Sequence, residues 1–420
     1  MNPTPPNAWG RIRAVLRYGP FNRYLAGEAI SMTGTWMQSM AQSWVMTTLT
    51  DRAILLGWVN FAMGIPMVFL TLYGGVLADR FDKRRILLLA QVIQIILALM
   101  LGWLVAQERI QIWHLIAVAL LLGTTGSFEM PAAAALVPEL VGKECLSTAI
   151  AMERATFHGT RLVGPAMAGY AVAQWGSSSA FYLNALSFAA FILALLTLPK
   201  RMEGTPEEEA RRRGGMKEGF DHVRSDRPTL AMIAVMVATT VLIFPVLVVM
   251  LPLYARNVLL LGADKMGLLM GISGVGALTG SLGLMALGHS QRIHFLFSAV
   301  CGASCGLVGL GISMHFYQAA ISLAMTSLSV STLIGLANII VQERAPGPLR
   351  GRVSSVAALS FFGLMPFAGL FVTAIADMIS IRYTLLVSAL AYSLITISLL
   401  LANKHQLKGV SSAAHVDSPP

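Results

Sequence analysis

Gly57 to Thr71 and Ile86 to Val105 contain no charged residue, and between them lies a densely charged stretch, GGVLADRFDKRR, from Gly74 to Arg85. Apolar runs near the ~20 residues that cross a bilayer recur along almost the whole chain. This recurrence limits the possible folds, because a backbone in lipid must satisfy its hydrogen bonds internally, as helices or closed barrels. Of the 420 residues, 56% are hydrophobic and 12% charged, with a mean hydropathy of +0.69. Soluble domains carry about 25% charged residues, so there is too little polar sequence to coat a soluble surface. The reading is an all-α polytopic membrane protein.

Charge and turn signals divide the apolar sequence into twelve spans: 21–49, 54–78, 85–107, 111–138, 144–174, 178–199, 229–255, 265–288, 292–314, 316–342, 351–376 and 380–403. They form two six-helix bundles, 21–199 and 229–403. A cytoplasmic N-tail (1–20), a cytoplasmic linker (200–228) and a C-tail (404–420) that reads as disordered complete the chain. Pro66, Pro131, Pro165, Pro245 and Pro366 fall inside spans, where neighbouring helices can satisfy the backbone groups that proline frees. The N-terminal residues lack the pattern of a cleaved signal peptide, so the first apolar segment is expected to be a retained span.

Most of the 30 Lys and Arg collect on one side of this arrangement, and the opposite side holds Arg52, Arg109, Arg256, Lys265 and Arg382. By the positive-inside rule both termini are cytoplasmic. The formal charge of +10 therefore reads as topology and attraction to lipid headgroups, not nucleic-acid binding. In a bacterium the membrane is the inner one. The linker, with its mixed charge, is expected to be a solvated connector or surface helix.

Cys145, Cys301 and Cys305 show no metal or disulfide spacing. His114, His158, His289 and His294 do not cluster like metal ligands; His158 reads as a packed neutral side chain or a proton relay. The chain lacks a G-x-x-x-x-G-K-[ST] loop, which argues against ATP-driven transport. No metal or other cofactor is implied, and neither a catalytic constellation nor a large soluble domain suggests an enzyme or a sensor.

The two halves echo one another. LVPELVGKECLSTA after span four and IVQERAPGPLRGRVSS after span ten both end a helix on an acidic residue, Glu139 and Glu343. A short turn and a helix rich in small residues follow. Gly75, Ala78 and Arg84 match Gly283, Ala286 and Arg292 in spacing, with Leu287 in the place of Asp79. Paired six-helix halves are the architecture of many secondary transporters.

The run Gly74 to Arg85 resembles the signature loop between helices two and three of the major facilitator superfamily, G-x-L-A-D-R-x-G-R-R/K, with Asp82 in place of the last Gly. Gly27 to Gln38, Ala41 to Trp44, Arg161 to Gly169 and Arg350 to Ser355 resemble the branch of bacterial siderophore (enterobactin-type) and macrolide exporters, the transmembrane secretion effectors. The resemblance implies twelve helices in two pseudo-symmetric halves and export of a small amphipathic molecule against entering protons. It also implies a monomer, and a latch formed by Gly75, Asp79, Arg80, Arg84 and Arg85. Gly164, Pro165 and Gly169 partly resemble the helix-five signature of drug/proton antiporters. However, Thr160 replaces its earlier Gly, and span four lacks the Arg that many of those antiporters use. An importer, a lysolipid flippase or a non-transporting sensor are the alternative readings.

Ionisable groups inside spans are costly and therefore functional candidates. Here they are Glu28, Glu129, Glu153, Arg154 and Arg161. Counting from the turn near Val141 puts Glu129 and Glu153 at similar depth, and Arg161 near the level of Gln38. In one reading Glu129 pairs with Arg154, leaving Glu28 or Glu153 to carry protons; in the other the charges form a static network joining spans one, four and five. Trp36, Met40 and Trp44 fall on one face of span one, which also carries Gln38 and Gln42. That face suits an amphipathic substrate or helix and lipid packing.

Overall fold

The computed structural model describes residues 8–199, 216–284, 287–288, 291–404 and 406, and the described residues are helical apart from turns and short connections. The chain begins with α1 (Ala8–Val15), α2 (Gly19–Leu49), α3 (Ala53–Arg80), α4 (Lys83–Ala106), α5 (Ile112–Leu140), α6 (Leu146–Trp175) and α7 (Ser178–Leu196). It continues with α8 (Met216–Ser225), α9 (Arg227–Leu242), the single turn α10 (Leu251–Leu253), α11 (Ala263–Gly283), α12 (Arg292–Ile312) and α13 (Phe316–Arg344). The last three helices are α14 (Arg350–Ala358), α15 (Met365–Ile379) and α16 (Ile381–Ala402).

Joined across π-helical turns where they occur, 10 helical segments among the described residues are long and apolar enough to cross a membrane. The other two spans are α2 and α6, 31 and 30 residues long but more polar. Each of the twelve spans read from the sequence thus has its helix. The segment 200–215 of the linker, Ala286, His289 and 407–420 of the C-tail lie outside the described residues. The described end of the linker is α8, whose Glu218 pairs with Arg352 of α14.

Contacts divide the chain into two compact units. One takes in Met1–Leu49, Ala62–Gly204 and Ala263–Gly271; the other takes in Thr50–Phe61, Thr205–Gly262 and Ile272–Pro420. In the first, α2 packs along α6 and α7, and α4 along α5 and α7. Close approach of α2 to α7 depends on Gly34, where a Cβ would lie 2.1 Å from Ser187 Oγ and 2.3 Å from Asn184 Oδ1. At one end of this unit Phe21, Tyr24, Leu87, Leu136, Phe191 and Leu195 form a buried apolar floor, with Tyr24 and Phe191 packed edge to face at 5.8 Å.

In the second unit α12 packs on α13 and α16, and α9 on α13 and α16. Hydroxyls join its helices: Ser273 and Ser327 lie 2.7 Å apart, as do Ser281 and Ser331, and Ser393 donates to Ser304 at 2.7 Å. Its helices widen into π turns at Pro245–Met250, Tyr254–Val258 and Leu359–Gly363. Two of these turns begin at, or lie just before, a proline (Pro245, Pro366). Proline removes a helical N–H donor, and a wider turn can take up the misfit. Pro131 and Pro165 of the first unit sit within unbroken α-helices instead.

Candidate functional site

The charged segment after α3 is a set of helix-end fastenings. Asp82 caps α4, accepting from Arg84 N at 2.9 Å, so the residue that departs from the resembled signature supplies an N-cap. Lys83 pairs with Glu139 at the end of α5. Arg84 donates to the carbonyls of Leu196 and Leu198 at 2.8 Å each, satisfying the end of α7. Asp79, Arg80 and Arg85 are exposed, and Gly75 has open space around its Cα. Of the five residues assigned to a latch, Arg84 is engaged within its own unit through these carbonyls, and Arg85 through Asp82 at 3.9 Å.

The second unit repeats the fastening. Arg292, opening α12, pairs with Glu343 near the end of α13, as Lys83 of α4 does with Glu139 of α5. The repeat read from Glu139 and Glu343 is therefore also a repeat of ion pairs. The first-half partner is Lys83, one residue before the Arg84 that spacing had matched. In addition, Arg344 grips Asp226, the N-cap of α9, through Nε at 2.7 Å and Nη2 at 2.5 Å. That guanidinium and the Thr229 hydroxyl hold the Asp226 carboxyl down to about 2, against the opposing effect of burial.

Within the first unit the candidate carboxylates converge from three helices. Glu129 of α5 accepts from Gln91 Nε2 on one oxygen and from Gln94 Nε2 on the other, both at 2.6 Å. Gln91 is itself oriented by Ser31 Oγ of α2, which donates to Gln91 Oε1 at 3.3 Å. Glu28, buried in α2, accepts from Tyr24 OH at 3.1 Å, while its Oε2 is sealed from solvent without a partner. Glu129 and Glu153 both lie close enough to act on Glu28 electrostatically.

The pairing of Glu129 with Arg154 expected from the sequence is not formed. Two amides of α4 occupy both carboxylate oxygens, and Arg154 is exposed with Glu153 beside it. Gln91 and Gln94 were missed because they do not ionise. Their signal is plain in retrospect: two amides at i and i+3, hence on one helix face, inside the charge-free run Ile86 to Val105.

Gln38 joins a structural network, accepting from Asn184 Nδ2 of α7 at 2.8 Å while Ser187 donates to Asn184 Oδ1 at 2.9 Å. Gln42 donates to Leu115 O at 3.4 Å. Met40 is fully buried, so it packs inside the bundle and does not continue a wall between Trp36 and Trp44. Arg161 stands apart from the carboxylates, its guanidinium 5.5 Å from the Trp36 ring centroid. Gly164 and Gly169 serve packing. A Cβ on Gly164 would lie 2.6 Å from Trp36 Cβ, and one on Gly169 would lie 2.7 Å from Ala263 O; Pro165 O faces Gly267. Among the described residues no three His, Cys, Asp or Glu side chains group as metal ligands.

Long apolar helices in a fold shared with solved transporters, the matching family model and relatives named as transporters and efflux proteins identify a multi-pass membrane transporter of the major facilitator class. The chain belongs to the transmembrane secretion effector family, whose model matches residues 13–420. It is 23% identical over 394 residues to a staphyloferrin A transporter of Staphylococcus aureus, covering 91% of this chain and 96% of that protein. It is 24% identical over 374 residues to macrolide efflux protein A of Streptococcus pyogenes, covering 86% and 91%. Its fold resembles the crystal structure of the nucleoside transporter NupG, with TM-score 0.69, 12% identity and coverage of 91% and 98%.

Proposed function

We propose that this chain is a secondary active exporter that moves a small amphipathic molecule out across the bacterial inner membrane in exchange for entering protons. It acts as a monomer with both termini cytoplasmic. The observation that carries this reading is Glu129, gripped on both oxygens by uncharged amides beside the buried, half-satisfied Glu28. A carboxylate held by neutral donors keeps its charge only at a cost within a membrane protein. Taking up a proton removes that charge and sets the amide clamp against an O–H, so the site has two distinct states. The chain is also similar over most of its length to a protein named for macrolide efflux.

Alternating access then needs a bias between states, and Asp79 with Arg80 at the cytoplasmic turn is the proposed latch. The test is transport by the purified protein in liposomes carrying an imposed pH gradient, against siderophores, macrolides and lysolipids, with a pH-sensitive dye inside. Substrate movement that follows the gradient, with counter-movement of protons, is the expected result. Substrate flux indifferent to the gradient and to a protonophore overturns the coupling, and the sign of the flux decides between exporter and importer.

A further inference from the structure

Arg161 raises a separate question, because its charge is not spent on the carboxylate cluster. Its five N–H donors make no hydrogen bond or ion pair among the described residues, and its guanidinium lies over the Trp36 ring. The indole Nε1 of Trp36 is likewise buried without an acceptor. Two donor groups that are costly to leave unmatched therefore meet at one place. Phe157 closes against Trp36 edge to face at 5.9 Å, and Gly164 lets Trp36 approach α6 closely.

The surroundings carry the same sign. Arg154 and Arg161 recur at i and i+7 with His158 between them at i+4, hence on one face of α6. Glu153, a carboxylate beside this stripe, sits at its far end next to Arg154. One turn past Arg161 this face becomes Pro165, which packs against Gly267, so it turns toward protein. Donors without acceptors on a positive face, next to an aromatic surface, fit a ligand that brings an acceptor of negative charge. A planar carboxylate matches the guanidinium fork in two parallel hydrogen bonds.

We propose that Arg161 and Trp36 Nε1 bind a carboxylate group of the transported molecule, so that the substrate class is an amphipathic carboxylate whose apolar part rests on Trp36 and Phe157. The proposal rests on the exporter reading but is read out without any gradient. Loss of proton coupling in the liposome assay would leave it standing, and its own failure would leave coupling standing.

The test is calorimetric titration of the protein in lipid nanodiscs with benzoate, 2-naphthoate and citrate, each against its neutral amide, and with 2-naphthylmethylamine. The wild type is expected to bind at least one carboxylate about tenfold or more tightly than its amide. Arg161→Gln should erase that preference and Arg161→Lys should keep part of it. Trp36→Phe, which retains a ring but not the N–H, should reduce it less than Arg161→Gln does. If no carboxylate outbinds its amide in the wild type, or if the amine binds most tightly, the proposal is overturned. An undiminished carboxylate preference in a folded Arg161→Gln protein overturns it equally.

Discussion

In the first unit the buried polar side chains include Glu28, Gln38, Gln42, Gln91, Gln94 and Asn184; in the second, leaving tyrosines aside, the buried polar side chains among the described residues are all serine or threonine. Most of those hydroxyls return to a carbonyl of their own helix, as Thr239 does to Val235, Thr240 to Met236 and Thr396 to Tyr392. Such bonds are local and hold no neighbour. The amides of the first unit reach across helices, from α4 to α5 and from α7 to α2. The second unit instead holds the three π turns. The two units thus differ in kind: one gathers buried carboxylate and amide side chains, the other holds helices whose turns are already widened.

This contrast breaks most visibly at Glu129. Glu129→Gln is expected to reduce gradient-driven flux to background, with a melting temperature close to wild type, measured in liposomes and by thermal unfolding. Normal flux in that variant would remove the proton site from the first unit. A smaller effect is expected at the turn after α3, where Asp79→Asn should, on the proposed latch, favour the inward-open state. A surface ion pair is worth ~1 kcal/mol, about a fivefold change in population. Turnover should slow while substrate binding persists, and cysteine probes added from the cytoplasmic side should react faster.

Asp226 sharpens the comparison by pH. Its carboxyl is held at about 2, below its ordinary value of 3.8. A lowered value means that its contribution to stability is complete above about pH 4 and fades as pH falls toward 2. Asp226→Asn should therefore lower the melting temperature by a few degrees at pH 7 and much less near pH 2. The pH profile of transport between 5 and 8 should keep its shape if, as proposed, the proton site is at Glu129. Smallest of all, Thr240→Val should change stability by about 1 kcal/mol or less, with flux unaltered. A large loss there would show that the hydroxyls of the second unit do more than satisfy their own helix.

The spans and the paired acidic helix ends were legible in the sequence because lipid imposes length and apolarity residue by residue. The gathering of Glu28, Glu129 and Glu153 was legible too, since Glu129 and Glu153 lie equally far from one turn. Their partners were not, because which side chains meet depends on helix rotation, which a count along the chain leaves open. Gln38 shows the same gap: its polarity suggested a cavity, but Asn184 of α7 faces it. Asp82, read as a departure from a glycine, is an N-cap of the kind that precedes many helices.

The two helices too polar to stand among the apolar ten, α2 and α6, carry Glu28, Trp36, Glu153, Arg154 and Arg161 between them. An arginine at the centre of an inserting helix opposes entry into lipid by about 3 kcal/mol. These two segments therefore depend during biosynthesis on companions that already offer a polar or close-fitting face. For α2 that companion is α7, through Asn184 and the groove at Gly34; for α6 it is α2, through Trp36 at Gly164. Assembly of the bundle is then ordered by its chemistry, and a lesion in α7 should appear first as a failure to insert α2.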